Sequence, residues 1–254
     1  LSFAFEKPGK NMTDYVDKTT IRRPLHGMFT AIPRRYDLTN RIITWGLDKR
    51  WRREAARECL TSRPGKILDL CCGTGDLMIN LARLAKNNVA LTGIDYSQPM
   101  LEIAVKKAEP LAGRRKISFV CGDAANLPFP DGYLDCIGIS FAFRNLTYKN
   151  PLARRNIAEV FRVLSSGGRF VIVETSQPSS KLIRKLYHLY LRWFVFRLGH
   201  LLSGNRGAYH YLAESAARFY TSEELKEMLV TASFREVSFR PLFLGAVSIH
   251  VAIK

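Results

Sequence analysis

The sequence predicts an α/β protein with a seven-stranded, doubly wound mixed sheet flanked by helices, and three observations predict it. From residue 66 onward, short apolar runs alternate with longer segments whose apolar residues recur every three or four positions, as parallel strands and crossover helices do. The first three of those runs end in a Gly-rich turn or an acid. The C-terminal stretch alternates apolar and polar residues in the manner of an antiparallel hairpin.

Taken in order, KILDL (66–70) runs into a Gly-rich turn, and the pattern at 77–86 is the first crossover helix. ALTGID (90–95) is the second strand, and 99–108 the second helix, with Pro99 suited to a first turn. KISFVCGD (116–123) is the third strand. LDCIGISF (134–141) and GRFVIVE (168–174) are apolar enough to be buried on both faces, with a helix over 150–164 between them. FREVSF (234–239) and GAVSIHVAIK (245–254) close the sheet.

A chain of 254 residues, 47% of them hydrophobic, can bury one substantial core, and one domain is expected: a core over 64–176, an N-terminal lid segment over 1–63, a helical insertion over 181–219 and a terminal hairpin over 234–254. Ligands of open α/β sheets bind outside the carboxyl ends of the strands, where the two extra segments would form a lid. The chain begins at Leu1, and Met12 is a candidate native start.

The five cysteines are odd in number and mostly lie in apolar runs, which suits a reducing compartment. They contain no C-x-x-C pair, and the five histidines lack metal-helix spacing, so no metal is expected. Neither an export signal nor an apolar run of spanning length is visible, and a cytoplasmic protein is expected. Lys and Arg number 39 against 22 Asp and Glu, a net charge of +17, which points to a polyanionic partner, nucleic acid or an anionic membrane.

DLCCGTGDL (69–77) follows a strand and opens a helix, so Gly73 and Gly75 permit a tight turn and close ligand approach while helix N–H groups face an anion. Such a turn also occurs for geometric reasons alone. Asp95 ends the second strand 22 residues after Gly73, a spacing at which an acid meets ribose hydroxyls, although it would equally start the next helix. A nicotinamide fingerprint would need a third small residue where Met78 or Ile79 stands, and a P-loop would need Lys where Asp76 stands. At the end of the third strand, Asp123 can accept from an adenine amino group and the Ala124 N–H can donate to a ring nitrogen.

Over 66–174 this combination resembles the class I S-adenosylmethionine-dependent methyltransferases. The resemblance implies their Rossmann-like sheet and S-adenosyl-L-methionine as cofactor, with Thr74, Asp95, Asp123, Ala124 and Ser140 at cofactor-contacting positions. YDLTNRIITWGLDKRW (36–51) is similar to the first signature of the ubiquinone/menaquinone biosynthesis C-methyltransferases, with Thr39, Thr44 and Asp48 in place of its Met, Ser and His. RVLSSGGRFVIVETS (162–176) resembles their second signature, with Ser165 and Ser166 in place of Lys-Pro, and SFAFRN (140–145) and YLAES (211–215) are similar to the family as well.

The resemblance implies C-methylation of a reduced polyprenyl quinone precursor, a demethylmenaquinol or a ubiquinol-pathway intermediate. The substituted signature positions leave open another small aromatic or isoprenoid acceptor, or a non-catalytic component of a quinone-synthesis complex. An aromatic carbon attacks a sulfonium methyl once a ring hydroxyl is deprotonated, so the protein must favour the phenolate and align that carbon. Arg144, just past the fourth strand, is a candidate for meeting the phenolate or orienting a water, with a structural salt bridge as the alternative. Asn145 would position it. Tyr36 is a candidate for bonding a ring oxygen, or else packs the lid.

No acid falls between Glu174 and Glu214, while Lys181, Arg184, Lys185, Arg192, Arg197 and Arg206 do. Leu182, Leu186, Leu189 and Trp193 recur at helical spacing, so 181–206 reads as a basic amphipathic helix. It would lie on an anionic membrane surface where a polyprenyl quinol is collected, pack on its own domain as a lid, or serve a homodimer. The basic residues are spread and carry no RNA-binding signature, so no nucleic acid partner is expected.

Overall fold

The computed structural model describes residues 33–86, 88–195, 197 and 206–254. Helices α1 (Pro33–Ile43) and α2 (Leu47–Leu60) precede strand β1 (Lys66–Leu70). Then come α3 (Asp76–Leu84), β2 (Ala90–Asp95), α4 (Gln98–Ala112), β3 (Lys116–Cys121), β4 (Leu134–Ser140), the short α5 (Phe143–Thr147), α6 (Ala153–Val163) and β5 (Leu164–Thr175). The inserted helix α7 (Lys181–Tyr190) continues as a π turn, Leu191–Val195, and is followed by α8 (Arg206–Ala217) and α9 (Ser222–Thr231). Strands β6 (Glu236–Leu242) and β7 (Val247–Ile253) close the chain around the single turn Phe243–Gly245.

The seven strands form one sheet in the order β3-β2-β1-β4-β5-β7-β6. The first five are parallel and β7 runs antiparallel to both neighbours. The order reverses at β1/β4, and that crevice opens at the carboxyl ends of the strands. Central strands are buried on both faces, which is why they read as unbroken apolar runs. Strand β5 starts at Leu164, four residues before the expected Gly168, because Leu164 pairs with Leu134 across a bulge before regular pairing resumes at Cys136 and Arg169.

Two apolar layers sandwich the sheet. One joins α2, α3 and α4 through Trp51, Ala55, Cys59, Leu77, Leu81 and Leu101; the other joins α6 and α9 through Ile157, Val160, Leu225 and Leu229. Helix α2 therefore belongs to the sandwich, although it falls within the 1–63 stretch that the sequence assigned to a lid. Its small and apolar residues at 51, 55, 56 and 59 make one continuous buried face. Helix α9 starts at a capping box in which Thr221 and Glu224 satisfy each other's amides.

The inserted segment builds a third, smaller cluster away from the sheet. There Ile43 of α1 meets Leu191 and Val195 of the π turn and Ala213 and Ala216 of α8. The Tyr190 hydroxyl donates to the Ile43 carbonyl. Together α1, α7 and α8 roof the carboxyl end of β4 and β5.

Candidate active site

The first half of the site is the Gly-rich turn. Gly73 and Gly75 both adopt the left-handed conformation, with φ of +53° and +82°, which side chains resist. A Cβ on Gly75 would lie 3.0 Å from the Ala104 Cβ and 3.2 Å from its Cα, so this glycine lets α3 and α4 close together. A Cβ on Gly73 would meet nothing within 4 Å, so its restriction is conformational and the space before it is open.

Asp95 is tied to this turn. Its carboxylate accepts from the Gly73 amide and from the Ser97 amide, each at 2.8 Å, and Ser97, one turn residue on, is the cap of α4. The bond to the Ser97 amide accounts for the helix-start reading of Asp95, and the bond to the Gly73 amide ties the same carboxylate to the Gly-rich turn. Asp123 accepts from the Ala125 amide at 3.0 Å in a similar turn after β3, with Ala124 buried between them. Ser140, at the end of β4, accepts from Arg52 at 3.3 Å. The structure brings Gly73, Gly75, Asp95, Asp123, Ala124 and Ser140 to the carboxyl edge of four adjacent strands.

Thr74 points elsewhere among its protein neighbours: its hydroxyl donates to Asp37 of α1 at 2.6 Å and accepts from Lys107 at 3.1 Å. Lys107 also binds Asp37 and, at 2.7 Å, Asp76. Arg52 joins this chain through a close pair with Asp48 and a contact of 3.8 Å with Asp76. Burial works to raise the Asp76 carboxyl, but Arg52 and Lys107 outweigh it and hold it below the ordinary range. Helix α1 is therefore fastened to the Gly-rich turn by charge.

Sequence reasoning passed over Asp69, the last acid of β1. It is 1% exposed, and neither carboxylate oxygen has a hydrogen bond of normal geometry. Burial pushes it up to about 8 against the pull of the nearby Met78 amide and Arg52. The Ser97 hydroxyl is likewise buried without a partner. Buried polar groups without partners are uncommon in folded proteins, and these two lie beside the Gly-rich turn.

The second half is an apolar cavity of about 510 Å³ beside that edge. Trp51 of α2 and Phe141 just past β4 line it, with Ile43 at the end of α1, Trp45 in the turn that follows, and Leu186 and Tyr187 of α7. Its charged side chains include Arg144, whose guanidinium donates to the Glu174 carboxylate and to the Thr175 hydroxyl, each at 2.8 Å. The Arg144 amide bonds the other Glu174 oxygen at 3.1 Å. The salt bridge offered as the alternative for Arg144 thus exists, and the same side chain faces the cavity. Asn145 also lines it and accepts from the Tyr211 hydroxyl at 3.5 Å. The backbone of Tyr36 lies in α1, but its side chain is outside the described residues.

Glu174, Tyr187 and Tyr211 are members of this polar cluster that the sequence did not single out. YLAES and the end of GRFVIVE were legible as signatures, yet only the fold shows them converging on Arg144.

The comparisons with known proteins agree with this geometry. The ubiE/COQ5 methyltransferase family matches residues 15–254. A demethylmenaquinone methyltransferase of Thermus thermophilus is 42% identical over 225 residues, covering 88% of this chain and 98% of that protein. A ubiquinone/menaquinone biosynthesis C-methyltransferase of Geobacter sulfurreducens is 35% identical, covering 91% of this chain and 88% of that protein. Among solved structures, a SAM-dependent methyltransferase of Thermotoga maritima aligns with a TM-score of 0.54 at 20% identity, over 87% of this chain and 98% of that one. It shares the fold. The sheet order, the glycine turn at the strand edge and the match along most of the sequence lead to one assignment: this chain belongs to the ubiE/COQ5 methyltransferase family and is an S-adenosylmethionine-dependent methyltransferase.

Proposed function

We propose that this chain methylates a ring carbon of a reduced polyprenyl quinone precursor, a demethylmenaquinol or an intermediate on the way to ubiquinol. The observation that carries the reading is the placement of a buried cation, Arg144, in the wall of an apolar cavity next to the cofactor edge of the sheet; the other buried arginine of that wall, Arg52, is paired with Asp48. A lipophilic ring needs the apolar walls; its deprotonated oxygen needs the cation. The names of the relatives, demethylmenaquinone methyltransferase above all, support the same acceptor class.

The residues at the strand edge fit S-adenosylmethionine. Asp69 and Ser97 are buried polar groups without a bonding partner, and a Cβ placed on Gly73 would meet nothing within 4 Å, so the turn leaves room on that side. In this reading Asp95 takes the ribose hydroxyls, Asp123 and the Ala124 amide take the adenine, and Gly73, Thr74, Gly75 and Ser140 line the path between. When bound, the cofactor supplies a methyl group on a positively charged sulfur.

The protein does the remainder. Arg144 stabilises the ring oxygen as its proton passes to water, Asn145 fixes the approach of the ring, and Tyr36 is a further candidate from α1; once the ring carbon has taken the methyl group, its hydrogen is lost to water as a proton and the ring regains aromaticity. Trp51 and Phe141 hold the ring plane and exclude water, which strengthens the Arg144 interaction. The ring carbon then faces the methyl group in line.

The tail of such a substrate is drawn from a membrane, and α7 is suited to that. Leu182, Leu186, Leu189 and Trp193 are all more than half exposed, and Lys181, Lys185, Arg192 and Arg197 surround them. Trp45 and Leu244, exposed at the cavity rim, continue the apolar surface to the opening. Among the described residues no helix is long and apolar enough to cross a membrane, so attachment would be peripheral. The test is methyl transfer by the purified protein to reduced, but not oxidised, demethylmenaquinone, with loss of transfer and retained cofactor binding in Arg144→Ala.

A further inference from the structure

We propose that the Tyr187 hydroxyl is the second donor to the ring oxygen and forms, with Arg144, the anion hole that makes the acceptor reactive. The inference rests on the proposed reaction and adds a residue to it. Arg144 cannot do the work alone. One of its terminal nitrogens is committed to Glu174 and Thr175, its charge is offset by a carboxylate that is 0% exposed, and its Nε is buried without a partner. A phenolate arriving there meets a cation already half answered.

Tyr187 enters from the opposite side, on α7, and lines the same cavity as Arg144. Its hydroxyl makes no hydrogen bond to any described residue, whereas the neighbouring Tyr190 and Tyr211 hydroxyls are engaged by Ile43 and Asn145. It lies near enough to Arg144 and Glu174 for both charges to act on its phenol. Burial pushes that phenol well above its ordinary range, so it remains a protonated donor at any working pH and cannot compete for the proton the acceptor gives up. A neutral donor in the wall of an apolar cavity, beside the cation that meets the developing negative charge, is the arrangement that favours an oxyanion.

The experiment is steady-state methyl transfer to reduced demethylmenaquinone as a function of pH, for the wild-type protein and Tyr187→Phe, with cofactor affinity measured on both. The substitution removes one oxygen and leaves the other titratable and charged groups of the cavity, Arg144 paired with Glu174, Asp48 paired with Arg52, Tyr190 and Tyr211, in place. Tyr187→Phe is expected to bind the cofactor as the wild type does and to lose kcat on the order of 10²-fold. The acid limb of its kcat profile should move to higher pH, because a ring hydroxyl with one donor fewer ionises less readily.

A variant with kcat and pH profile unchanged, or with a raised KM alone, would overturn the assignment and leave Tyr187 a packing residue. A wild-type protein that binds the cofactor and methylates no reduced quinone would instead overturn the reaction on which the assignment rests.

Discussion

The Arg144 guanidinium and the Glu174 carboxylate meet at 2.8 Å with side chains 3% and 0% exposed, and Arg144 lines the cavity that is proposed to receive the acceptor. Glu174 is the next-to-last residue of β5, Arg144 lies in α5 just past the end of β4, and the two strands are neighbours in the sheet. The adjacent strand ends bring the two residues together, and bonds from both the amide and the guanidinium of Arg144 fix the cation against Glu174.

A buried pair of this kind is expected to be strongly coupled. Arg144→Ala or Glu174→Ala alone strands the other charge and should destabilise the fold by about 3–5 kcal/mol, whereas the double substitution should cost less than the two singles together. Urea unfolding of the four proteins measures this. Additive losses would mean that water already reaches the pair.

The two glycines of the turn should separate stability from binding. Gly75→Ala forces a methyl group against the backbone of α4 as well as a left-handed φ, and should destabilise by roughly 2 kcal/mol or more. Gly73→Ala meets open space and costs only the conformational part, about 1 kcal/mol, but it fills the room before the turn. Calorimetric titration with the cofactor should find the larger loss of affinity per unit of lost stability in Gly73→Ala.

His250 gives a pH dependence of definite sign. It is fully buried, bonded to the Ser222 carbonyl at 3.0 Å and to Ser248 at 3.3 Å, and burial depresses it from 6.5 to about 4. The unfolded chain therefore binds a proton between about pH 6.5 and 4 that the folded chain refuses. Stability from this group is complete above 6.5 and declines as the pH falls to 4, by about 3 kcal/mol in all. His250→Gln should flatten that part of the curve of unfolding midpoint against pH; an unchanged slope would place its cause elsewhere.

Charge reversal on α7 tests the membrane reading. Lys185→Glu with Arg192→Glu leaves the apolar face intact and should abolish sedimentation with vesicles that contain anionic lipid. The wild type should sediment with them less as salt rises. Indifference of the wild type to lipid charge would contradict the reading.

Most of the sheet was legible because strands buried on both faces must be apolar throughout, and because a parallel sheet collects its polar ligands where the strands stop. Gly73, Gly75, Asp95 and Asp123 could be found on that ground alone. What stayed hidden depended on contacts between distant segments. Nothing local distinguishes Asp69 from an ordinary strand acid, and nothing in 181–219 says that Tyr187 and Tyr211 turn toward Arg144 rather than outward. Helix α2 was assigned to a lid although its 51, 55, 56, 59 face was in view, because charged residues on its other side obscure the pattern. The substituted signature positions prove to be structural in part: Asp48 bonds Thr44 at 3.0 Å and pairs with Arg52, so the replacements at 44 and 48 form one polar unit.

The central claim is tested most directly by mass spectrometry of the quinone after incubation with isotopically methyl-labelled S-adenosylmethionine. The reduced demethylmenaquinone should gain the mass of one labelled methyl group in place of a ring hydrogen, the oxidised quinone should gain none, and Arg144→Ala should bind the cofactor without producing the shift. Equal labelling of the oxidised form, or labelling of a ring oxygen instead of a ring carbon, would contradict the account.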